Sequence, residues 1–166
     1  LIWLLINLPT AMLAAAVVNL FDAEIARFAV RAVLMGIVSG MGGNAGTQTL
    51  AVVVRAIDTN QLTSSNTWRV IGRELRIAAA NGVSLGVLIG LGTFVIWHDP
   101  VLAIVFALAI LINNLVAGLS GVLVPVVLDR FRIDPAVASA VFVTTCTDCM
   151  GFFSFLGLAT LFGLGR

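Results

Sequence analysis

A single aspartate inside a long apolar stretch is the residue whose type and position most directly suggest chemistry. Asp148 lies in the segment TTCTDCMGFF at residues 144–153, fourteen residues after Asp134, which is about 21 Å further along a helix. If that helix crosses a membrane, the carboxylate lies near the middle of the bilayer. Acids there are costly, by default face a bundle interior or water, and mark ion pathways. We therefore expect Asp148 to face a polar pathway.

The helical neighbours of Asp148 are polar on one narrow face. Thr144 and Thr145 lie one turn earlier and Gly151 lies one turn later. Two structural explanations stay open: a protonated carboxyl group hydrogen-bonded to a nearby Thr or Asn, or a pair with an arginine, although no arginine lies at comparable depth. Hydroxyl, amide and carbonyl oxygens suit hard cations such as Mg²⁺, which usually keeps several waters. We favour a wide site in which the carboxylate touches the hydration shell.

Two cysteines flank the aspartate in a C-x-x-C pattern, which in an exposed loop would indicate a redox or zinc site. Cys146 and Cys149 have no second cysteine pair, and the only histidine, His98, lies at the end of another predicted helix. On a helix they point away from the face of Asp148. We interpret both as small packing residues.

The composition predicts a membrane protein. Of the 166 residues, 60% are hydrophobic and 10% are charged, with a mean hydropathy of +1.13, whereas soluble domains are about 25% charged. Five runs, uncharged except for Asp148 in the last, each reach the roughly 20 residues that span a bilayer. We predict an all-α protein with five transmembrane helices, at about 1–21, 30–54, 74–98, 101–128 and 135–164, in which Asp148 is the only deep charge. The net charge of +1 argues against a nucleic-acid partner.

The arginines outside the predicted spans indicate an orientation. Six lie on the side of the loops after spans 2 and 4, against Arg27, Arg31 and Arg166 on the other side, and positive charge favours the cytoplasm. We expect a multi-pass protein of the cell inner (plasma) membrane, with its N-terminus cytoplasmic and its C-terminus outside. Because the sequence starts without Met and at once in apolar residues, we also expect it to be a piece of a longer protein.

Glycine recurs in spans 2 and 3. Gly82, Gly86 and Gly90 have the four-residue spacing of a close helix–helix contact, and we interpret them as packing residues. The run GMGGNAGTQ in span 2 is richer in polar residues, which predicts a loosened backbone or exposed carbonyls that line a polar pathway. Most homo-oligomers are twofold dimers. A homodimer would bring two copies of Asp148 together in a pore at or beside the axis, lined by spans 2 and 5.

Four segments together resemble one family. They are WLLINLPTAMLAAAVVNLF in span 1, GMGGNAGTQTLAVVVRAI in span 2, NNLVAGLSGVLVPVVLDRFRIDPA through span 4 and DPAVASAVFVTTCTDCMGFFSFLGLA in span 5. They are similar to the transmembrane domain of the MgtE family of magnesium channels and transporters. The resemblance rests on the G-x-G-G-N-x-G-x-Q motif together with the late T-D pair. It implies a homodimer with five transmembrane helices per subunit and an ion pathway lined by the second and fifth helices.

The resemblance also implies which residues contact the ion. Hydrated Mg²⁺ is expected at Asp148, with Mn²⁺, Co²⁺ or Ca²⁺ as further candidates for the same site. The other metal-site positions implied by the resemblance are Thr144, Ala140, Gly40, Gly43, Asn44 and Thr47. Thr47 stands where family members often have a second asparagine, so a hydroxyl replaces an amide. The family further implies cytosolic regulatory domains in the parent protein as partners.

We predict passive, voltage-driven conduction of Mg²⁺ into the cytoplasm by a protein that is not an enzyme. The main alternative is a transporter that couples a divalent ion to H⁺ or Na⁺, with Asp148 as a proton carrier. An intramembrane protease is disfavoured because His98 lies at a helix end and an aspartyl protease needs two acids, which only a dimer would supply. A non-conducting structural subunit is the third alternative.

Overall fold

The described residues fold into a bundle of five α-helices. The computed structural model describes residues 2–21, 29–63 and 65–164. The helices are α1 (Ile2–Asn19), α2 (Ala29–Asp58), α3 (Thr67–Trp97), α4 (Pro100–Arg130) and α5 (Pro135–Leu161). The all-α prediction with five helices is therefore confirmed. Leu1, Arg27 and Arg166, which the span and orientation predictions use, lie outside the described residues.

Helix α4 is the centre of the bundle. It packs against α2, α3 and α5, while α2 also contacts α5, and α1 lies against α5. The core joins α2, α4 and α5, where Val38, Ile110 and Phe155 are fully buried. Phe106 meets Phe155 edge-to-face with ring centroids 5.8 Å apart, a geometry that contributes about 0.5–1.5 kcal/mol beyond burial. The contact between α2 and α5 is therefore backed by α4 along its length.

Two Asp-Pro pairs start the last two helices. The Asp134 carboxylate accepts a hydrogen bond from the Ala136 backbone N–H at 2.9 Å, which confirms the N-cap predicted for span 5. Asp99 caps α4 in the same way, through Val101 and Leu102 N–H at 2.9 and 3.1 Å. The connection before it is short because His98 ends α3 in the left-handed region, with φ of 54°. Helices α3 and α4 are thereby fixed as a tight antiparallel pair.

The glycines of α3 let α4 approach closely. A Cβ added to Gly86 would lie 2.9 Å from the Ala107 carbonyl oxygen, one on Gly82 would lie 2.9 Å from Leu111 Cδ1, and one on Gly90 would lie 3.2 Å from Ala107 Cβ. These distances leave no room for a side chain. The packing role predicted for the three glycines is confirmed.

The apolar helices are compatible with a membrane. Within the described residues, α3, α4 and α5 are long and apolar enough to cross a bilayer, and Leu5–Asn19 of α1 is a shorter apolar stretch. Helix α2 has 30 residues but carries the glycine-rich polar run, which lowers its hydropathy. The composition is compatible with a membrane helical domain, and the five-span arrangement stays a prediction.

Candidate functional site

Helix α2 is continuous through its glycine-rich run. The predicted loosened backbone is wrong, because residues 29–58 form one unbroken α-helix. The reason is packing: a Cβ on Gly42 would overlap the side-chain amide of Asn113, and a Cβ on Gly46 would lie 2.7 Å from Val143 Cγ1. These two glycines allow α2 to contact α4 and α5. The glycine-rich run therefore has a packing face, which contains Gly42 and Gly46, and an outer face.

Asp148 is held against α2 by a hydrogen bond from Ser39. The Ser39 hydroxyl donates to Asp148 Oδ1; the serine is buried and the aspartate is half-buried. Gly151, one turn further along α5, permits this approach, since a Cβ there would lie 3.0 Å from Ser39 Cα. Asp148 is therefore joined to α2 at the residue that precedes the glycine run. Thr145, which the predicted polar face included, instead lines an apolar groove with Cys146 and Cys149.

A buried asparagine of α4 fixes the backbone next to Ser39. Asn113 is 0% exposed, and its Nδ2 donates to the Val38 carbonyl oxygen at 2.8 Å. Its Oδ1 has no partner among the described residues. Neither Ser39 nor Asn113 was identified from the sequence. Asn113 could have been identified from the Asn-Asn pair at 113–114, which stands in an otherwise apolar span.

The residues predicted to contact an ion lie on adjoining faces of α2 and α5. On α2, Gly40, Asn44 and Thr47 are exposed and Gly43 is half-buried, and a Cβ on Gly43 would lie 3.8 Å from Thr147 Oγ1. On α5 the predicted positions recur at four-residue intervals, which places them on one face. There Ala140 is exposed, whereas Thr144 and Asp148 are half-buried. The fold brings all seven positions to the edges of one helix pair; whether they bind metal stays a prediction.

The threonines on these faces present acceptors to their surroundings. Thr47 Oγ1 lies 3.0 and 2.9 Å from the carbonyl oxygens of Gly43 and Asn44, and Thr144 Oγ1 lies 2.9 and 3.0 Å from those of Ala140 and Val141. A hydroxyl has one proton, and in both residues it is donated within the helix. The remaining lone pairs of the hydroxyl oxygens can accept hydrogen bonds. Water molecules bound to a cation point their protons outward and therefore need such acceptors.

The structure has a buried acid, besides the half-buried Asp148, that was not identified from the sequence. Helix α3 begins at Thr67, seven residues before the predicted span, so Glu74 lies in its third turn rather than at its edge. Its side chain is 6% exposed. Glu74 was not identified as buried because the neighbouring Arg73 and Arg76 are typical of a loop or of a helix end.

The cysteines lie on another surface. Cys146 and Cys149 are free thiols and line an apolar groove with residues of α1 and α4, among them Leu13 and Leu119. Among the described residues, no three His, Cys, Asp or Glu side chains are grouped to hold a metal ion. At the Asp148 site one chain supplies one carboxylate, and the neighbouring candidate donors are neutral oxygens.

The chain is similar to proteins of one known family. A family model named MgtE and described as a divalent cation transporter matches residues 35–158, which include all seven predicted positions. The chain is 30% identical over 160 residues to the magnesium transporter MgtE of Bacillus subtilis, 33% to that of Enterococcus faecalis and 29% to that of Thermus thermophilus. Each match covers 96% of this chain but only 35–36% of the relative, so the chain spans about a third of their length.

A helical membrane domain whose matched family model is a divalent cation transporter belongs to the class of membrane transport proteins. The chain is a member of the MgtE family, as its motifs predicted. The relatives are named as transporters and not as enzymes.

Proposed function

We propose that this chain forms the membrane domain of a channel that conducts hydrated Mg²⁺ into the cytoplasm down its electrochemical gradient. The observation that carries the proposal is the position of Asp148, which Ser39 joins to α2. The same helix carries the exposed, oxygen-bearing residues Asn44 and Thr47 about one to two turns further along. The matched family and the names of the relatives support Mg²⁺ as the ion.

Contact through water explains the sparse donor set. Mg²⁺ gives up its waters reluctantly and is bound through few carboxylates. One carboxylate, together with threonine hydroxyls that can only accept hydrogen bonds, is suited to binding the water shell of a hydrated ion. It is less suited to coordinating the metal directly. The same oxygens would accept Mn²⁺, Co²⁺ or Ca²⁺, and the hydroxyl of Thr47 in place of an amide makes this residue a candidate for tuning the preference among them.

A homodimer would complete the pathway. The outer faces of α2 and α5, with Gly40, Asn44, Thr47 and Ala140, are exposed in one copy of the chain. Polar side chains and a carboxylate facing lipid are costly, and a second copy related by a twofold axis would cover them. Two copies of Asp148 would then balance the charge of one dication, in a pore lined by α2 and α5.

The membrane potential supplies the driving force in this mechanism. Moving two charges through 100 mV is worth about 4.6 kcal/mol, at 2.3 kcal/mol per charge. We place the domain in the cell inner (plasma) membrane, surrounded by lipid, with the N-terminus in the cytoplasm and the C-terminus outside. Cytosolic regulatory domains of the parent protein would act on the pore from the inner side.

A transporter coupled to H⁺ or Na⁺ is the alternative that one observation favours. Besides the half-buried Asp148 the chain holds a buried acid, Glu74, and a second carboxylate would give a coupling ion a place to bind. In that case Asp148 would carry a proton in exchange for the divalent ion.

Flux measurements separate the two mechanisms. The full-length protein is reconstituted in liposomes with a trapped Mg²⁺ indicator, and the potential is clamped with K⁺ and valinomycin. The channel predicts uptake that rises with inside-negative potential and is unchanged by a pH or Na⁺ gradient at fixed potential. Uptake that follows either gradient at clamped potential would contradict the channel and select the coupled transporter.

A further inference from the structure

A polar cavity of about 210 Å³ lies between α2, α3 and α4. It shares no residue with the Asp148 site. Its polar lining residues are Gln48, Thr49, Arg73, Glu74, Asn81 and Asn114. A space of this size in a helix bundle holds an ion with several waters, since one water occupies roughly 30 Å³ of liquid.

Glu74 gives the cavity a buried negative charge. It is the eighth residue of α3, so it lies about 10 Å from the start of the helix, near the edge of the bilayer core. Gly118 of α4 contacts α3 at this level, because a Cβ there would lie 3.4 Å from the Glu74 carbonyl oxygen and 2.7 Å from Ala78 Cβ. A buried carboxylate in a membrane helix indicates a functional site by default.

Asn114 supplies a second, independent observation at this cavity. It lines the cavity one helical turn before Gly118 and is 1% exposed. Its Nδ2 donates to the Ile110 carbonyl oxygen at 2.9 Å, whereas its Oδ1 has no hydrogen-bond partner among the described residues. Buried acceptors without a donor are rare in native proteins and call for a bound water or ion.

We propose that this cavity binds one partly dehydrated alkali metal cation on the Glu74 carboxylate and Asn114 Oδ1, with oxygens of Gln48, Thr49 and Asn81 and with water completing its coordination. All of these are hard oxygen donors. A monovalent ion on one carboxylate is electrically neutral, whereas a divalent ion would leave a net charge buried, which is costly. The bound cation would tie α2 to the α3–α4 pair.

The competing explanation for Glu74 is a structural pair with Arg73. Arg73 also lines the cavity but is exposed, and its long side chain can carry the guanidinium to the membrane surface. The two explanations differ in what Arg73→Gln does. Removing a positive charge beside a cation site makes alkali ions bind more tightly, whereas removing the partner of an ion pair destabilises the protein and creates no tighter site.

Thermal unfolding of the purified full-length protein in Mg²⁺-free buffer tests the proposal. NaCl and KCl are compared with choline chloride at equal ionic strength. We expect at least one of the alkali salts to raise Tm saturably, by about 3 °C at tenfold saturation. Glu74→Gln abolishes the rise, Asp148→Asn retains it, and Arg73→Gln shifts its midpoint to lower salt.

Equal Tm values of the wild-type protein in the three salts would overturn the proposal without any variant. A rise that persists in Glu74→Gln, or that Asp148→Asn removes, would assign the ion to another site. A rise that Mg²⁺ reproduces at lower concentration would show a divalent site instead. If Glu74→Gln does not fold, Asn81→Ala replaces it and is expected to raise the midpoint salt concentration several-fold; an unchanged midpoint would count against the site.

Discussion

Ser39 of α2 donates a hydrogen bond to the Asp148 carboxylate of α5, and this bond joins the two helices at the level of the candidate ion pathway. The serine is 7% exposed, so water does not readily replace it as a donor. Hydrogen bonds to charged groups are the stronger ones. The contact fixes where the carboxylate lies.

The first prediction concerns this contact. Ser39→Ala is expected to raise the Mg²⁺ concentration for half-maximal flux about three- to tenfold, since a net hydrogen bond contributes about 0.5–1.5 kcal/mol. The measurement is uptake into proteoliposomes at clamped potential. Ser154→Ala is the matched control, because this buried serine of α5 donates only to the Gly151 carbonyl of its own helix. Equal effects of the two substitutions would remove Ser39 from the site.

The second prediction concerns Asn113. Asn113→Ala removes the bond to the Val38 carbonyl oxygen and leaves that oxygen with one donor fewer inside the bundle, so we expect a loss of stability of about 1–3 kcal/mol. The measurement is thermal or denaturant unfolding. Ser120→Ala is the control, since Ser120 is buried on the same helix and donates to its own Ala117 carbonyl at 3.3 Å. A loss no larger than that of the control would contradict the role of Asn113 in fixing α2.

The third prediction separates the packing face of α2 from its outer face. Gly46→Ala is expected to destabilise the protein by about 1–3 kcal/mol, because its Cβ would lie 2.7 Å from Val143 Cγ1. Gly36→Ala on the outer side of α2 meets nothing within 4 Å and is expected to stabilise the helix by up to about 1 kcal/mol. Melting temperatures of the two variants check this, and the opposite order would contradict the packing described for α2.

The fourth prediction concerns the hydroxyl acceptors. Thr144→Val keeps the side-chain shape but removes the lone pairs offered to the water around an ion, so Mg²⁺ flux is expected to fall several-fold. Thr145→Val is the control on the adjacent residue, which lines the apolar groove and donates to Val141 at 2.7 Å. Both variants are compared at equal reconstituted amounts. If Thr145→Val lowers flux as much as Thr144→Val, the hydroxyl of Thr144 has no specific role.

The sequence predicts those parts of the architecture that depend on local patterns of residues. Uncharged run lengths, the Asp134-Pro135 cap and the spacing of Gly82, Gly86 and Gly90 are local features, and the helices and the packing predicted from them are confirmed. The depth expected for Asp148 rests on counting residues along a helix and stays a prediction.

Contacts between helices could not be predicted in the same way. The partner of Asp148 depends on the rotation of α2 about its axis, and composition does not specify that rotation. For the same reason Gly42 and Gly46 looked like a weakness of the helix, although in the structure they are its contact points with α4 and α5. Glu74 was misjudged because its burial depends on where α3 starts, which adjacent arginines obscure.

The most direct test of the central claim is the position of a Mn²⁺ ion in crystals of the full-length protein, located by anomalous scattering and in competition with Mg²⁺. We predict one peak between two symmetry-related Asp148 carboxylates, roughly 4–5 Å from their oxygens, because a water of the first shell lies between metal and carboxylate. The peak should weaken as Mg²⁺ is added and vanish in Asp148→Ala. A peak elsewhere with none at Asp148, or direct coordination at about 2.1 Å, would contradict the account of a hydrated ion held by this residue.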